Sequence, residues 1–328
     1  MDYKYERIIF DGERVVLKDG EIKDIGENEI VVKTEWTQIS VGTEIQTIKI
    51  AREEKRQVEL GYSLVGIVVE KGKNVNFKEG DRILALAPHS SYVKLKVSPS
   101  TIIKVPDGLP PDIATVGILG SVAFHIVERG EVRVGESVGV LGLGMVGSLC
   151  LQISKICGAK PLIGIDIDET KLEIAKEYGA DFCFSPKISE LEKEIYRITK
   201  GEMLNVVIEA VGKAEPINIA KKIIGRWGRL VLSSFTNESI SFMVHNDIVE
   251  KELKIIGAHQ PKCPVEKVPY YPFSQVKNRL LALEFLKNGI LKVDKLITHR
   301  IKKEQIEEIY SLLLKEEKRP TGILINWQ

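Results

Sequence analysis

Cysteine is scarce in this 328-residue sequence, and the four present, Cys150, Cys157, Cys183 and Cys263, stand far apart. There is no CxxC pair and no ladder of closely spaced cysteines. That excludes a disulfide framework or a cysteine knuckle for metal, and it fits a reducing cytoplasm. Excess charge of either sign is missing too: 47 Lys and Arg against 46 Asp and Glu leave a formal net charge of +1. With no bulk positive field to gather a polyanion, nucleic acid is not expected as the main partner. Long hydrophobic runs are also lacking: none approaches the roughly 18 apolar residues of a membrane-crossing helix, so no membrane span is expected. The opening MDYKYERIIFDGERVV is charged from its second residue and has neither the apolar stretch nor the cleavage site of a secretory leader.

What is present is enough chain for two domains. The first hundred residues read as short strands separated by turns, RIIF, RVVLKDG, NEIVVKTEWTQI, YSLVGIVVEKG, GDRILAL and YVKLKV, without long helices between them. Such a run predicts a partly open barrel or sandwich. From Ser137 apolar strands alternate with helical segments, the pattern of a parallel sheet covered on both faces. The strands are SVGVLG, PLIGID, DFCF, NVVIEA, RLVLSS and LKIIGA; the helices are Met145–Ile156, Glu169–Tyr178, Glu215–Ile224 and a short Ile248–Glu252. Helices over Gln275–Asn288 and Lys303–Glu316 follow, and the closing strand TGILINW is expected to return to the first domain. The fold class read from this order is α/β: a β-rich domain over residues 1–122 plus 290–328, and a nucleotide-binding domain over 123–289.

In VLGLGMVG, Gly142, Gly144 and Gly147 form GxGxxG where a strand ends and a helix begins. Gly142 suits a tight turn, Gly144 a close approach of backbone to a pyrophosphate, and Gly147 close packing of helix on sheet. The amides of Met145 and Val146 open the helix and face the phosphates. The next strand ends in Asp166, about 20 residues on, where a carboxylate accepts hydrogen bonds from ribose hydroxyls. The same carboxylate repels a 2′-phosphate, and Ile167, Asp168 and Glu169 add no cation before Lys171, so NAD(H) is the expected cofactor. The competing structural role for Asp166 is to cap the next helix.

Several further segments, in order and spacing, resemble the medium-chain dehydrogenase/reductase superfamily: ISVGTE, GYSLVGIVVEKG, FKEGDRI, SVAFHIV, VGVLGLGMVG, GIDIDETKLEIAKEYGAD and VVIEAVG. The resemblance covers nearly the whole chain. It implies a Rossmann domain paired with a GroES-like catalytic domain, Asp166 and Lys171 at the adenosine ribose, and a homodimer or homotetramer built through the nucleotide-binding domain. Many members hold a catalytic zinc at places that here are Val41, Tyr62 and a position near Ile118; a neighbouring glutamate becomes Ser63. Valine and isoleucine offer zinc no donor, and residues 84–100 lack the cysteines of a structural zinc lobe, so no zinc is expected. An atypical site recruiting Glu44, His89 or His125 is the alternative. ISVGTE, GYS and APHSSYVKL look most like a zinc-lacking branch that includes bacteriochlorophyllide dehydrogenases, although the branch's usual ISPGTE and PGYS are ISVGTE and LGYS here.

Without a metal, side chains must stabilise the substrate oxygen and move its proton. Thr43 matches the hydroxyl that begins the proton relay in zinc-dependent members. Tyr62 replaces a metal ligand and is a donor, or an acid or base if its pKa is lowered; the competing role is to fill space. His89 is the favoured imidazole relay, ahead of His125, and Glu44 is read as supporting the site by pairing with an arginine. Val211, Gly212, Ser233 and Ser234, with Phe235, are expected near the nicotinamide. Trp36, Gln46 and loop 259–273, with Tyr270, Tyr271 and Phe273, are expected to wall the small-molecule substrate. The leading expectation is a secondary alcohol–ketone oxidoreductase acting on a polyhydroxylated or cyclic molecule. A double-bond reductase and an inactive nucleotide-binding protein are the alternatives.

Overall fold

The computed structural model describes residues 2–187, 190–235, 238–315 and 319–328. The chain divides into two compact units, Met1–Ile118 with Arg279–Gln328, and Leu119–Asn278. These divisions fall inside the helices Gly117–Arg129 and Gln275–Lys287, ahead of the expected boundaries at 122/123, within the same first helix, and at 289/290.

The first unit is β-rich. One sheet runs in the order Ile297–Lys302, Gly322–Asn326, Glu29–Ile39, Leu64–Lys71, Arg82–Ala85, Ile102–Lys104, with Tyr92–Lys96 also paired to Glu29–Ile39. A smaller sheet joins Val15–Ile22, Tyr3–Phe10 and Val58–Glu59. The closing strand does return: Ile323 pairs with Ile39 and Asn326 with Trp36, antiparallel. Where the sequence was read as strands alone, however, Val41–Glu53 is a helix. Its Val, Ile and Thr content favours strands locally, yet Ile45, Ile48 and Ala51 recur at helical spacing and are buried in one cluster with Ile306, Ile309 and Leu313 of the helix Ile306–Lys315. Burial of that face overrides propensity. The expected helix end at Glu316 lies outside the described residues.

The second unit is a parallel sheet in the order Phe182–Phe184, Leu162–Ile165, Val138–Leu141, Leu204–Glu209, Ile224–Leu232, Lys254–Gly257. Val138–Leu141 comes first in the chain but sits centrally, so connections leave it in opposite directions and open a crevice at its C-terminal end. The glycine-rich turn begins there. Leu191–Ile198 is a helix that the sequence reading passed over, and a π-helical turn at Val244–Val249 takes the place of the short helix expected at Ile248–Glu252. The helical run Pro111–Arg129 is long and apolar enough to cross a membrane, but 72% of its most apolar window is buried, as in a core helix.

Close packing at the turn is set by Gly147, where a Cβ would lie 1.8 Å from the Gly142 carbonyl oxygen. Backbone must shift to admit even one methyl, and such overpacking costs about 1–3 kcal/mol. Gly147→Ala is therefore expected to lower the thermal midpoint by several degrees; an unchanged midpoint would show that helix Met145–Ile156 does not seat on this turn.

Candidate functional site

In the second unit the three glycines are distinguished by what surrounds them. Gly142 has φ +88°, a conformation that side chains resist, and a Cβ there would meet Val211 at 2.5 Å. Gly144 is the N-cap of helix Met145–Ile156, and a Cβ on it would meet nothing within 4 Å. The backbone is thus open at Gly144, beside the first-turn amides of Met145 and Val146, which a helix leaves without intrahelical acceptors. Asp166 does not cap the next helix. That task belongs to Asp168, which accepts from the Thr170 amide at 3.0 Å. Asp166 instead accepts from the amides of Leu143 at 2.6 Å and Asp168 at 2.9 Å, holding a half-buried carboxylate beside the glycine turn. Lys171 lies in the opening turn of helix Glu169–Glu177.

At the end of strand Leu204–Glu209, the Glu209 carboxylate accepts from the amides of Val211 at 2.7 Å and Gly212 at 2.8 Å. Burial raises its pKa and the two amides oppose that rise. Ser233 donates to the Glu209 carbonyl oxygen at 2.8 Å, and a Cβ on Gly212 would strike Ser234 and Phe235. Val211, Gly212, Ser233 and Ser234 therefore form one tied loop cluster, anchored by a glutamate the sequence reading overlooked.

In the first unit, Tyr62 and Thr43 are joined through a residue that was also overlooked, Ser40. The Tyr62 hydroxyl donates to Ser40 Oγ at 2.7 Å, and Ser40 Oγ donates to Thr43 Oγ1 at 3.2 Å. Thr43 is exposed. Burial, with the Glu44 charge adding to it, pushes the Tyr62 phenol up to about 12, against the lowering effect of its hydroxyl neighbours Ser40 and Thr43. Tyr62 is consequently a neutral donor through the neutral pH range, and the phenolate role entertained from sequence does not fit this environment.

Beneath this chain, Glu44 is 3% exposed and accepts from the Ser40 amide at 2.7 Å through Oε1. Its Oε2 faces His89 Nε2 at 3.2 Å and accepts from the Tyr310 hydroxyl. The expected arginine partner of Glu44 is replaced by a histidine and a tyrosine. His89, expected as a proton relay, is fully buried; among the described residues its Nδ1 has no partner, and its contact is with Glu44. His125 belongs to the other unit, where it meets the Tyr271 hydroxyl at 3.2 Å, and burial, then Arg129 and His259, lower its pKa to about 4. Tyr271 also packs edge-on against Phe273, while Tyr270 is 99% exposed. Trp36 and Gln46 are half-buried residues of the first unit.

The donor chemistry for zinc does not fit. Val41 packs against the apolar cluster of Ile39 and Ile45, Tyr62 is spent on Ser40, and Ile118 is buried. Among the described residues no group of three or more His, Cys, Asp or Glu could hold a metal ion. Glu44 and His89 do meet, but Tyr310 and the Ser40 amide fill the remaining places around the carboxylate.

Residues 145–270 match the sequence model of the family described as zinc-binding dehydrogenase. Among curated proteins, the D-guloside 3-dehydrogenase of Escherichia coli is 29% identical over 243 residues, 73% of this chain and 69% of that one. The L-threonine 3-dehydrogenase of Bacillus velezensis is 25% identical over 332 residues, 91% and 92% of the two chains. Among solved structures, an Escherichia coli protein described as a short chain alcohol dehydrogenase complexed with NADH superposes with a TM-score of 0.82 at 20% identity, covering 98% of this chain and 99% of that one. Sheet order, glycine turn and the likeness to that structure show an α/β fold with a parallel Rossmann-like sheet and a separate β-rich sheet.

Proposed function

We propose that this protein is an NAD(H)-dependent oxidoreductase that interconverts a secondary alcohol and a ketone on a polyhydroxylated or cyclic substrate, without catalytic zinc. The observation that carries this reading is the hydroxyl chain from half-buried Tyr62 through Ser40 to exposed Thr43. Each hydroxyl can both donate and accept, so a proton given up at one end can be replaced from the other. In the recorded direction Tyr62 donates to Ser40 and Ser40 donates to Thr43, so the exposed Thr43 hydroxyl would stabilise the substrate oxygen and give up a proton that Ser40 and then the neutral phenol replace. Double-bond reduction and nucleotide sensing need no such chain.

The open backbone at Gly144, the first-turn amides of Met145 and Val146, and the Asp166 carboxylate fit a dinucleotide, with Lys171 near the ribose end. The loop of Val211, Gly212, Ser233 and Ser234, tied by Glu209, would hold the nicotinamide end. When bound, NADH supplies the hydride. His89 enters this reading as a residue that holds Glu44. The name of the guloside dehydrogenase supports a polyhydroxylated substrate class. The narrower likeness to bacteriochlorophyllide dehydrogenases rests on ISVGTE, GYS and APHSSYVKL alone. A homodimer or homotetramer in the cytoplasm completes the proposal, both resting on the sequence.

Two measurements test it. NADH should bind more tightly than NADPH in titration calorimetry, and Asp166→Ser should weaken NADH by roughly tenfold while narrowing the gap, since charge-assisted hydrogen bonds to ribose are lost; equal affinities in the unaltered protein would remove Asp166 from the ribose. Tyr62→Phe keeps the ring and its packing, so NADH affinity should hold while the hydride-transfer step, followed by stopped flow, slows about a hundredfold. Since the donor is the protonated phenol and its pKa is raised, ketone reduction by the unaltered protein should show no loss of this donor as pH rises through the neutral range. An unchanged rate in Tyr62→Phe would reduce Tyr62 to a space-filling residue.

A further inference from the structure

We infer that Tyr310, on the C-terminal helix Ile306–Lys315, is a positioning residue for the hydroxyl chain, acting through Glu44 on Ser40. A carboxylate as buried as Glu44 is costly unless donors replace the water it has lost. Tyr310 is 1% exposed, and the helix that carries it shares a buried cluster, through Ile306, Ile309 and Leu313, with Ile45 beside Glu44 and Ile48 one turn along. Its ring is core, and its hydroxyl is delivered to Glu44 Oε2 beside His89 Nε2. With Oε2 held from two sides, Oε1 is aimed at the Ser40 amide.

That aim fixes the one residue both ends of the hydroxyl chain share. Ser40 is the N-cap of helix Val41–Glu53, yet its side chain makes no capping bond. The Ser40 hydroxyl is thereby free to accept from Tyr62 and donate to Thr43, while Glu44 takes over the backbone amide. An apolar cluster at this place would stabilise the fold at least as well as a buried carboxylate, so the trio of Glu44, His89 and Tyr310 is accounted for by orientation of Ser40. Only the catalytic consequence of this assignment rests on the alcohol–ketone reading; the geometric part does not.

The test is residue-resolved hydrogen exchange on the full-length chain bearing Tyr310→Phe, which keeps the ring. The Ser40 amide should exchange at least roughly tenfold faster, the scale of losing one charge-assisted hydrogen bond, with Thr37 and Gln38 unchanged. With a turned-over ketone, kcat should fall by a similar factor while the KM for NADH holds. A Ser40 amide that stays protected, one that is released together with the whole unit, or a kcat that does not move would each overturn the assignment. If Tyr310→Phe fails to fold by circular dichroism, Glu44→Gln is read in the same way, with the same expected and overturning results. Exchange is measured without turnover, so selective release of Ser40 in a chain that transfers no hydride would retain the geometry and reject the proposed function.

Discussion

A carboxylate removed from water constrains the first unit. Glu44 is held by the backbone amide of Ser40 at a helix start, by His89 from a loop, and by Tyr310 from a helix near the end of the chain. Any one of these donors could be lost from an exposed carboxylate at little cost, because water would replace it. At 3% exposure water is not at hand, so the three segments must stay in register. The return of the chain, with Gly322–Asn326 paired to Glu29–Ile39, brings the C-terminal helix to where this register can be kept. The hydroxyls of Ser40, Tyr62 and Thr43 inherit their arrangement from it.

The second unit is governed by steric rather than electrostatic demands. Gly142 must turn through positive φ, Gly147 must let a helix lie against the turn, and Gly144 must leave backbone uncovered. Asp166 and Glu209 then tie loops on either side of the central strand to backbone amides. These are short-range contacts within a repeated strand–helix pattern, and they leave a crevice at the C-terminal ends of the strands, the place where such sheets take ligands.

That difference explains what could be read before the structure. The parallel strands and the glycine turn were legible because the signal for each lies within a few residues of chain. Helix Val41–Glu53 was not, since its β-branched composition argues locally for a strand and only the burial of Ile45, Ile48 and Ala51 decides otherwise. Ser40 was hidden inside a quoted motif: its place before a helix could be recognised only once that helix was. Tyr310 lies so far along the chain from Glu44 that no spacing rule connects them, and His89 was favoured as a relay because an imidazole in a loop titrates near neutrality, whereas burial of that loop position carries no local signal.

Hydride transfer assisted by side-chain hydroxyls in place of zinc is most directly tested with NADH deuterated at C4. Protein treated with a chelator and checked by elemental analysis would be mixed with a panel of polyhydroxylated ketones, and the alcohol product examined for deuterium in a single turnover. The account predicts label in the product with zinc well below one ion per chain. Label that appears only after stoichiometric zinc is added, or bound NADH that gives up no deuterium to any of the ketones, would contradict it.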